Sequence, residues 1–302
     1  MTLALFDVAF KAMGSPCRFQ FYAHSPAQAR NVSDLALACV QRLERKYSRY
    51  RSDSLVSRIN DQAGSGIVPI DQETKALLEY ARQCYQESGG LFDITSGVLA
   101  EAFDFQQGRV RDLAAIDRLC ARVGFDRITY DAGCITVPAG MALDFGGIVK
   151  EYAVDTVAGL FQQHGIEHGL VELGGDIRVF GAQPDGRAWP IAVRNPNRPD
   201  TIYRRIQVSQ GAVASSGDYE RFIEHDGVRY SHVLNPKTGW PVSSVKAVTV
   251  VAEHCLVAGS LTTIAMLKDA AAPAWLKAQN LPFLCCLADG RMVDHLNPAI
   301  NL

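Results

Sequence analysis

The chain has 302 residues, 48% of them apolar and 21% charged, enough for one large core or two modest ones. Lys and Arg number 30 against 32 Asp and Glu, a net charge of −2 that leaves no electrostatic footprint for nucleic acid. No apolar run approaches the roughly 20 residues of a membrane span, and there is no low-complexity segment or internal repeat. The basic residues Arg42, Arg45, Lys46, Arg49 and Arg51 alternate with Glu44, Tyr47 and Tyr50 and read as a solvated helix face. The start, Met1 to Asp7, lacks the basic opening and apolar core of a secretory signal. Eight cysteines form no Cys-x-x-Cys pair and mostly fall in apolar patterns, which fits a reducing cytoplasm.

In chain order, Val8 to Ala23 alternates as strand, interrupted at Met13-Gly14-Ser15-Pro16. Gln28 to Tyr47 reads as an amphipathic helix with Val32, Leu35, Ala36, Cys39, Val40 and Leu43 on one side. Asp53 or Ser54 caps a short helix running to Asn60, and Asp71 opens a helix that stops at Gly89-Gly90. Leu91 to Gly97 is a loop, Asp112 to Val123 a short helix, and Arg127 to Val137 a hairpin turning at 131–133. A helix follows from about Ile148 to Gln163, its buried stripe made by Val149, Ala153, Val157 and Leu160. Strands are expected at 170–173, 177–180, 189–194, 206–208, 212–215, 228–233 and 245–251. Helices at 255–268 and 272–280 and a strand at 283–287 close the chain. Strands and helices do not alternate regularly, so the expected class is α+β rather than a doubly wound sheet.

Four clusters can carry chemistry. Asp144-Phe145-Gly146-Gly147-Ile148-Val149-Lys150-Glu151-Tyr152-Ala153-Val154-Asp155 opens a helix on a glycine pair, where bare backbone N–H groups and the helix dipole favour an anion and Lys150 adds a movable positive charge. A second glycine pair stands in Glu172-Leu173-Gly174-Gly175-Asp176. Either pair alone is equally a tight turn, and neither fits the G-x-G-x-x-G or P-loop pattern. Ser215-Ser216-Gly217-Asp218-Tyr219 makes a polar turn at a strand end. In Ser231-His232-Val233-Leu234-Asn235-Pro236-Lys237-Thr238-Gly239, a histidine at a strand end can serve as proton acceptor or as a structural ring. No histidine spacing suits a metal.

Taken in order, these clusters join Met13-Gly14, the Asp53-Ser54-x-x-Ser57-x-x-Asn60 segment, Gly90-x-Phe92-Asp93-Ile94-Thr95 and Thr263. The series, from about Phe10 to Leu267, resembles the FAD:protein FMN transferase family, the ApbE-like proteins. The resemblance implies a single domain over 1–302 with two interleaved α+β lobes and an FAD cleft between them. It implies Mg²⁺-dependent transfer of FMN from FAD to a Ser or Thr hydroxyl of an acceptor flavoprotein, with release of AMP. By position, Met13, Asp53, Ser54, Asp93, Lys150 and Leu234 contact FAD, the Gly147 carbonyl and Thr263 hydroxyl hold the metal, and His232 is the base.

The chain departs from that pattern at four points. Glycine (Gly259) stands where the family has an Asp, one helical turn before Thr263. Glu151 replaces a glycine after the lysine, a carboxylate that either repels FAD or supplies the missing metal charge. Asn235 replaces an Asp before Pro-x-Thr-Gly, and the usual lipoprotein leader is absent, which suggests a cytoplasmic member. The loss at Gly259 predicts weaker Mg²⁺ binding that Gly259→Asp would restore, unless Glu151, Glu253, Asp144, Asp176 or a water compensates. It keeps two further readings open, an FAD-binding protein without transferase activity and a Mg²⁺-dependent FAD pyrophosphatase.

Overall fold

The computed structural model describes residues 3–105, 107–198, 200–218, 222–225 and 228–302. Tyr219, part of the Ser216–Tyr219 cluster, lies outside them. The frame is a ten-stranded sheet. It runs Ala4–Ala12, Ser15–Ala23, Gly169–Leu173, Asp176–Phe180, Ile202–Gly217, Val245–Ala252, Phe283–Leu287 and Met292–Asp294, each strand antiparallel to its neighbour. Trp189–Arg194 and Ala299–Asn301 pair with the first half of Ile202–Gly217. The fold is α+β, as expected.

Seven α-helices are described: α1 (Pro26–Tyr47), α2 (Leu55–Asp61), α3 (Gln72–Ser88), α4 (Ile116–Cys120), α5 (Val149–Gln163), α6 (Cys255–Lys268) and α7 (Ala272–Ala278). The helix signals hold at their starts. Ser25, Ser54 and Asp71 each accept an N–H of the first turn, and Gly89 ends α3 in the left-handed region at φ 69°. On α1 the buried positions are Ala29, Val32, Ser33, Ala36, Val40, Leu43 and Tyr47, whereas Leu35, expected inside, is exposed. The span expected as one helix over 112–123 is a 3₁₀ turn followed by the five-residue α4, since only Ile116 and Leu119 find a core.

Two expected strands, 206–208 and 212–215, are one. Ile202–Gly217 bends at Gly211, whose φ of 120° only glycine adopts freely, and the register shifts near the same point. The bend carries its first half into a second layer. There Trp189, Ile191, Val193, Ile206, Val208 and Ile300 cover one face of the sheet through Val179, Val213 and Val251. Helices α5 and α6 cover the other face. Phe161 of α5 meets Phe19, Phe21 and Phe180 at ring-centroid separations of 5.4, 4.7 and 5.6 Å. Burying such side chains contributes roughly 1.5–3 kcal/mol each.

One sequence expectation needs correction. Cys255–Ala278 is helical and apolar enough, by length and composition, to cross a membrane. Here it is broken at Asp269, at φ 51°, and packs largely inside the core. All eight cysteines are free thiols, five of them buried.

Candidate functional site

Two tight turns lie side by side at one end of the sheet. Met13-Gly14 joins the first two strands with both residues left-handed, at φ 50° and 72°, the geometry a two-residue hairpin prefers. For methionine that conformation costs about 1 kcal/mol. Its backbone N–H donates to Glu44 Oε1 of α1 at 2.8 Å, which helps hold it there. Gly174-Gly175 is the matching turn between Leu173 and Asp176, at φ 61° and 91°. A Cβ on Gly174 would sit 3.0 Å from Ser15 and 3.5 Å from the Lys150 stem. The first glycine-rich turn, the second and the start of α5 therefore meet.

Lys150 differs from its expectation as a movable charge. Its ammonium lies 2.7 Å from Asp176 Oδ2 and 4.0 Å from Glu151 Oε1. Asp176, buried, also accepts the Ser215 N–H at 3.2 Å. The start of α5 has no side-chain cap, because its N-cap is Ile148. Phe145 and Ile148 carbonyls take the first-turn amides, while the Gly147 carbonyl accepts none among the described residues. The Phe92 ring stands 3.5 Å from where a Gly147 Cβ would project, so only glycine leaves that backbone approachable.

Glu151 is the unexpected member. It is 6% exposed, and its Oε2 has no hydrogen-bond partner among the described residues. Burial pushes its carboxyl up to about 8, with Lys150 opposing the rise and Asp176 adding to it. Across the helix interface stands Gly259. A Cβ there would fall 2.4 Å from Glu151 Cγ, 3.0 Å from Cδ and 3.1 Å from Oε1. The glutamate side chain fills the space that a side chain at 259 would need. In the otherwise unchanged chain, Gly259→Asp would have to displace the Glu151 side chain before it could supply a ligand.

One turn along, the same two helices are joined by Asp155. Its carboxylate accepts the Cys255 and Leu256 N–H groups at 2.9 and 2.8 Å, closing the open start of α6, whose N-cap His254 makes no side-chain bond. Arg178 supports it at 3.9 Å. Asp155 to Glu151 and Cys255 to Gly259 are both four-residue steps, so the cap and the glutamate–glycine contact set one register. Thr263 follows Gly259 by four and is half-buried on α6. Its neighbour Thr262 is engaged, donating to the Gly259 carbonyl at 2.8 Å and lying 2.9 Å from the Ser216 hydroxyl.

The remaining predicted positions hold loops around this centre. Ser54 is buried and caps α2 by accepting the Ser57 N–H at 2.9 Å. Asp53 is exposed and forks to Arg51. Asn60 clamps Leu143 through both its amide groups, at 3.0 and 2.7 Å, and Arg49 pairs with Asp144 at 2.9 Å. Asp93 is spent internally: it accepts the Thr95 N–H and hydroxyl at 2.8 and 2.7 Å and the Phe125 N–H at 3.0 Å.

Leu234 bridges to Pro241, and Asn235 shapes the turn between them by accepting the Lys237 N–H at 2.9 Å. An asparagine oxygen serves that turn as well as an aspartate would. His232 lies on the loop after Val228–Ser231, its ring edge-on to Phe105 at 6.4 Å. Val233 packs on the same core cluster as Leu91. Asp155 closes the Asp144–Asp155 segment without a role legible from sequence, and Arg178 belongs to no motif. The one available signal was Asp155 four residues after Glu151, and its meaning needs the neighbouring helix start. Among the described residues no three His, Cys, Asp or Glu side chains form a ready metal cluster. A cation here would rest on mixed carboxylate, carbonyl and hydroxyl oxygens, a set suited to a hard ion.

The architecture places the molecule in a known class. It superposes on the ApbE protein of Thermotoga maritima with a TM-score of 0.88 at 30% identity, over 96% of this chain and 97% of that one. It superposes on the flavin transferase ApbE of Vibrio cholerae at 0.86 and 26% identity, over 97% of each chain. This is the fold of the ApbE flavin transferases. The model of the ApbE family matches residues 13–285. Curated proteins called FAD:protein FMN transferase align with it, from Vibrio cholerae at 32% identity over 78% of this chain and 73% of the relative, and from Treponema pallidum at 31% over 83% and 75%. The chain belongs to the ApbE family.

Proposed function

We propose that this protein is an FAD:protein FMN transferase, moving FMN from FAD to a Ser or Thr hydroxyl of an acceptor flavoprotein and releasing AMP. The observation that carries this reading is the convergence of the Met13-Gly14 turn, the Gly174-Gly175 turn and the uncapped start of α5 beside Lys150. Backbone N–H groups, a helix dipole and an ammonium meet there, which suits a pyrophosphate. The curated relatives supply the rest, since their names give the donor and the group moved.

In this reading the acceptor hydroxyl oxygen bonds to the FMN phosphorus as the bond from that phosphorus to the bridging oxygen breaks. AMP leaves with the bridging oxygen and its electron pair. His232 accepts the hydroxyl proton, a role worth roughly 10²–10⁴ in rate for a positioned base. Lys150, held by Asp176, faces the phosphates as a fixed charge, and the protein's main task is to hold the acceptor in line.

The residues fit a magnesium ion, because a buried carboxylate oxygen on Glu151 is unpartnered and the first-turn carbonyl of Gly147 is open among the described residues. Gly147 and Thr263 would help hold it, and when bound it would neutralise charge on the pyrophosphate oxygens. A flavin-fluorescence titration tests the reading: FAD should bind at micromolar concentration, and no binding would remove it.

A further inference from the structure

Helices α5 and α6 face each other across a contact that no local rule of folding requires. A glycine in the middle of a helix weakens it by about 1 kcal/mol relative to alanine. A glutamate carboxylate buried without a full set of partners is costlier still. Both occur at one point, and each explains the other: the carbon chain of Glu151 occupies the Cβ position of Gly259. Asp155, capping α6 one turn away, fixes that register.

The packed pair leaves Glu151 Oε2 buried and without a hydrogen-bond partner among the described residues. The Lys150 ammonium serves both carboxyls and stands closer to Asp176, at 2.7 Å against 4.0 Å from Glu151 Oε1. Along the chain Gly147 precedes Glu151 by four residues and Thr263 follows Gly259 by four on α6. Hard oxygen donors are what a magnesium or manganese ion requires, and a cation bound there would take Glu151 as the ionised carboxylate, releasing its proton.

We propose that in this chain Glu151 of α5 supplies the carboxylate ligand of the divalent-cation site, reaching across the gap left by Gly259 on α6. The inference rests on the transferase reading above and assigns the ligand to the helix opposite the one whose motif would carry it. The acidic ligand and the glycine gap form one unit, so neither changes alone without loss. Exchange of both recreates the unit with the carboxylate on the other helix.

The test uses the full chain and Mn²⁺ as probe, read by electron paramagnetic resonance with and without FAD. Wild type should bind Mn²⁺. Glu151→Gln, nearly the same shape, should weaken Mn²⁺ binding by about tenfold or more while FAD binding in metal-free buffer stays within about twofold. Gly259→Asp alone should lower the melting temperature by about 5 °C or more, as overpacking of a buried contact does. The double exchange Glu151→Gly with Gly259→Asp should recover both melting temperature and Mn²⁺ binding. Unchanged Mn²⁺ affinity in Glu151→Gln, no Mn²⁺ binding by wild type, or an unstable double exchange would each overturn the proposal. Loss of FAD binding by wild type would instead remove the transferase reading, so the two failures are distinguishable.

Discussion

Glu73 shows how a single residue ties three helices together. From the first turn of α3 it forks to Arg42 of α1 with both contacts at 2.8 Å, takes Lys46 at 2.8 Å, and meets the Tyr152 hydroxyl of α5 at 3.3 Å. The Arg42 hydrogen bonds hold its carboxyl down at about 2, against burial and with help from Lys46. The folded value lies below the unfolded 4.5, so this stability is present above pH 4.5 and is lost as pH falls toward 2. For a pair partly open to solvent the contribution is about 1 kcal/mol. Glu73→Gln should therefore lower the melting temperature near neutrality, and the gap from wild type should narrow below pH 4.5 and close only as pH falls through about 2. A gap that persists at low pH would assign the effect to packing instead.

The same scale marks where sequence reading stops. Ser54 was legible as a cap because a cap depends on neighbours in sequence. Asp93 and Asp144 were legible as polar residues in motifs, but not as the acceptors that pin Phe125 and Arg49. Those partners are 32 and 95 residues away. Glu151 was visible as a departure, and its relation to Gly259 was not, because no spacing rule links residues on different helices.

Among elements, the α5–α6 contact decides the geometry of the site. Asp155 caps α6 from α5 and pairs with Arg178 at 3.9 Å, so Asp155→Ala removes two charge-assisted bonds to the α6 start and the counter-charge of a largely buried guanidinium. The expected cost is about 2–3 kcal/mol in chemical denaturation. A loss below about 0.5 kcal/mol would mean that water caps α6 equally well. Helices with clear caps and stripes, α1, α3, α5 and α6, were legible to within two or three residues. The 112–123 span was not, because a short amphipathic pattern needs a surface to pack on. Ile202–Gly217 was read as two strands because Gly211 interrupts the alternation, and only the fold shows the chain bending there between layers.

At the level of the whole molecule, the order of weak motifs along the chain carried the family, and superposition on solved ApbE structures bears out the fold. The central claim is chemical: the protein moves FMN from FAD onto a protein hydroxyl. His232→Ala should slow that transfer by about 10²–10⁴ while FAD still binds. A normal rate in that variant would take the base role away from His232. The most direct measurement incubates the protein with FAD, Mg²⁺ and a candidate acceptor flavoprotein domain and records the intact mass of the acceptor, with an acceptor-free control for AMP. The account predicts one covalently added FMN per acceptor, and AMP released only when acceptor is present. An unmodified acceptor set, with FAD bound and intact or hydrolysed by water alone, would contradict it.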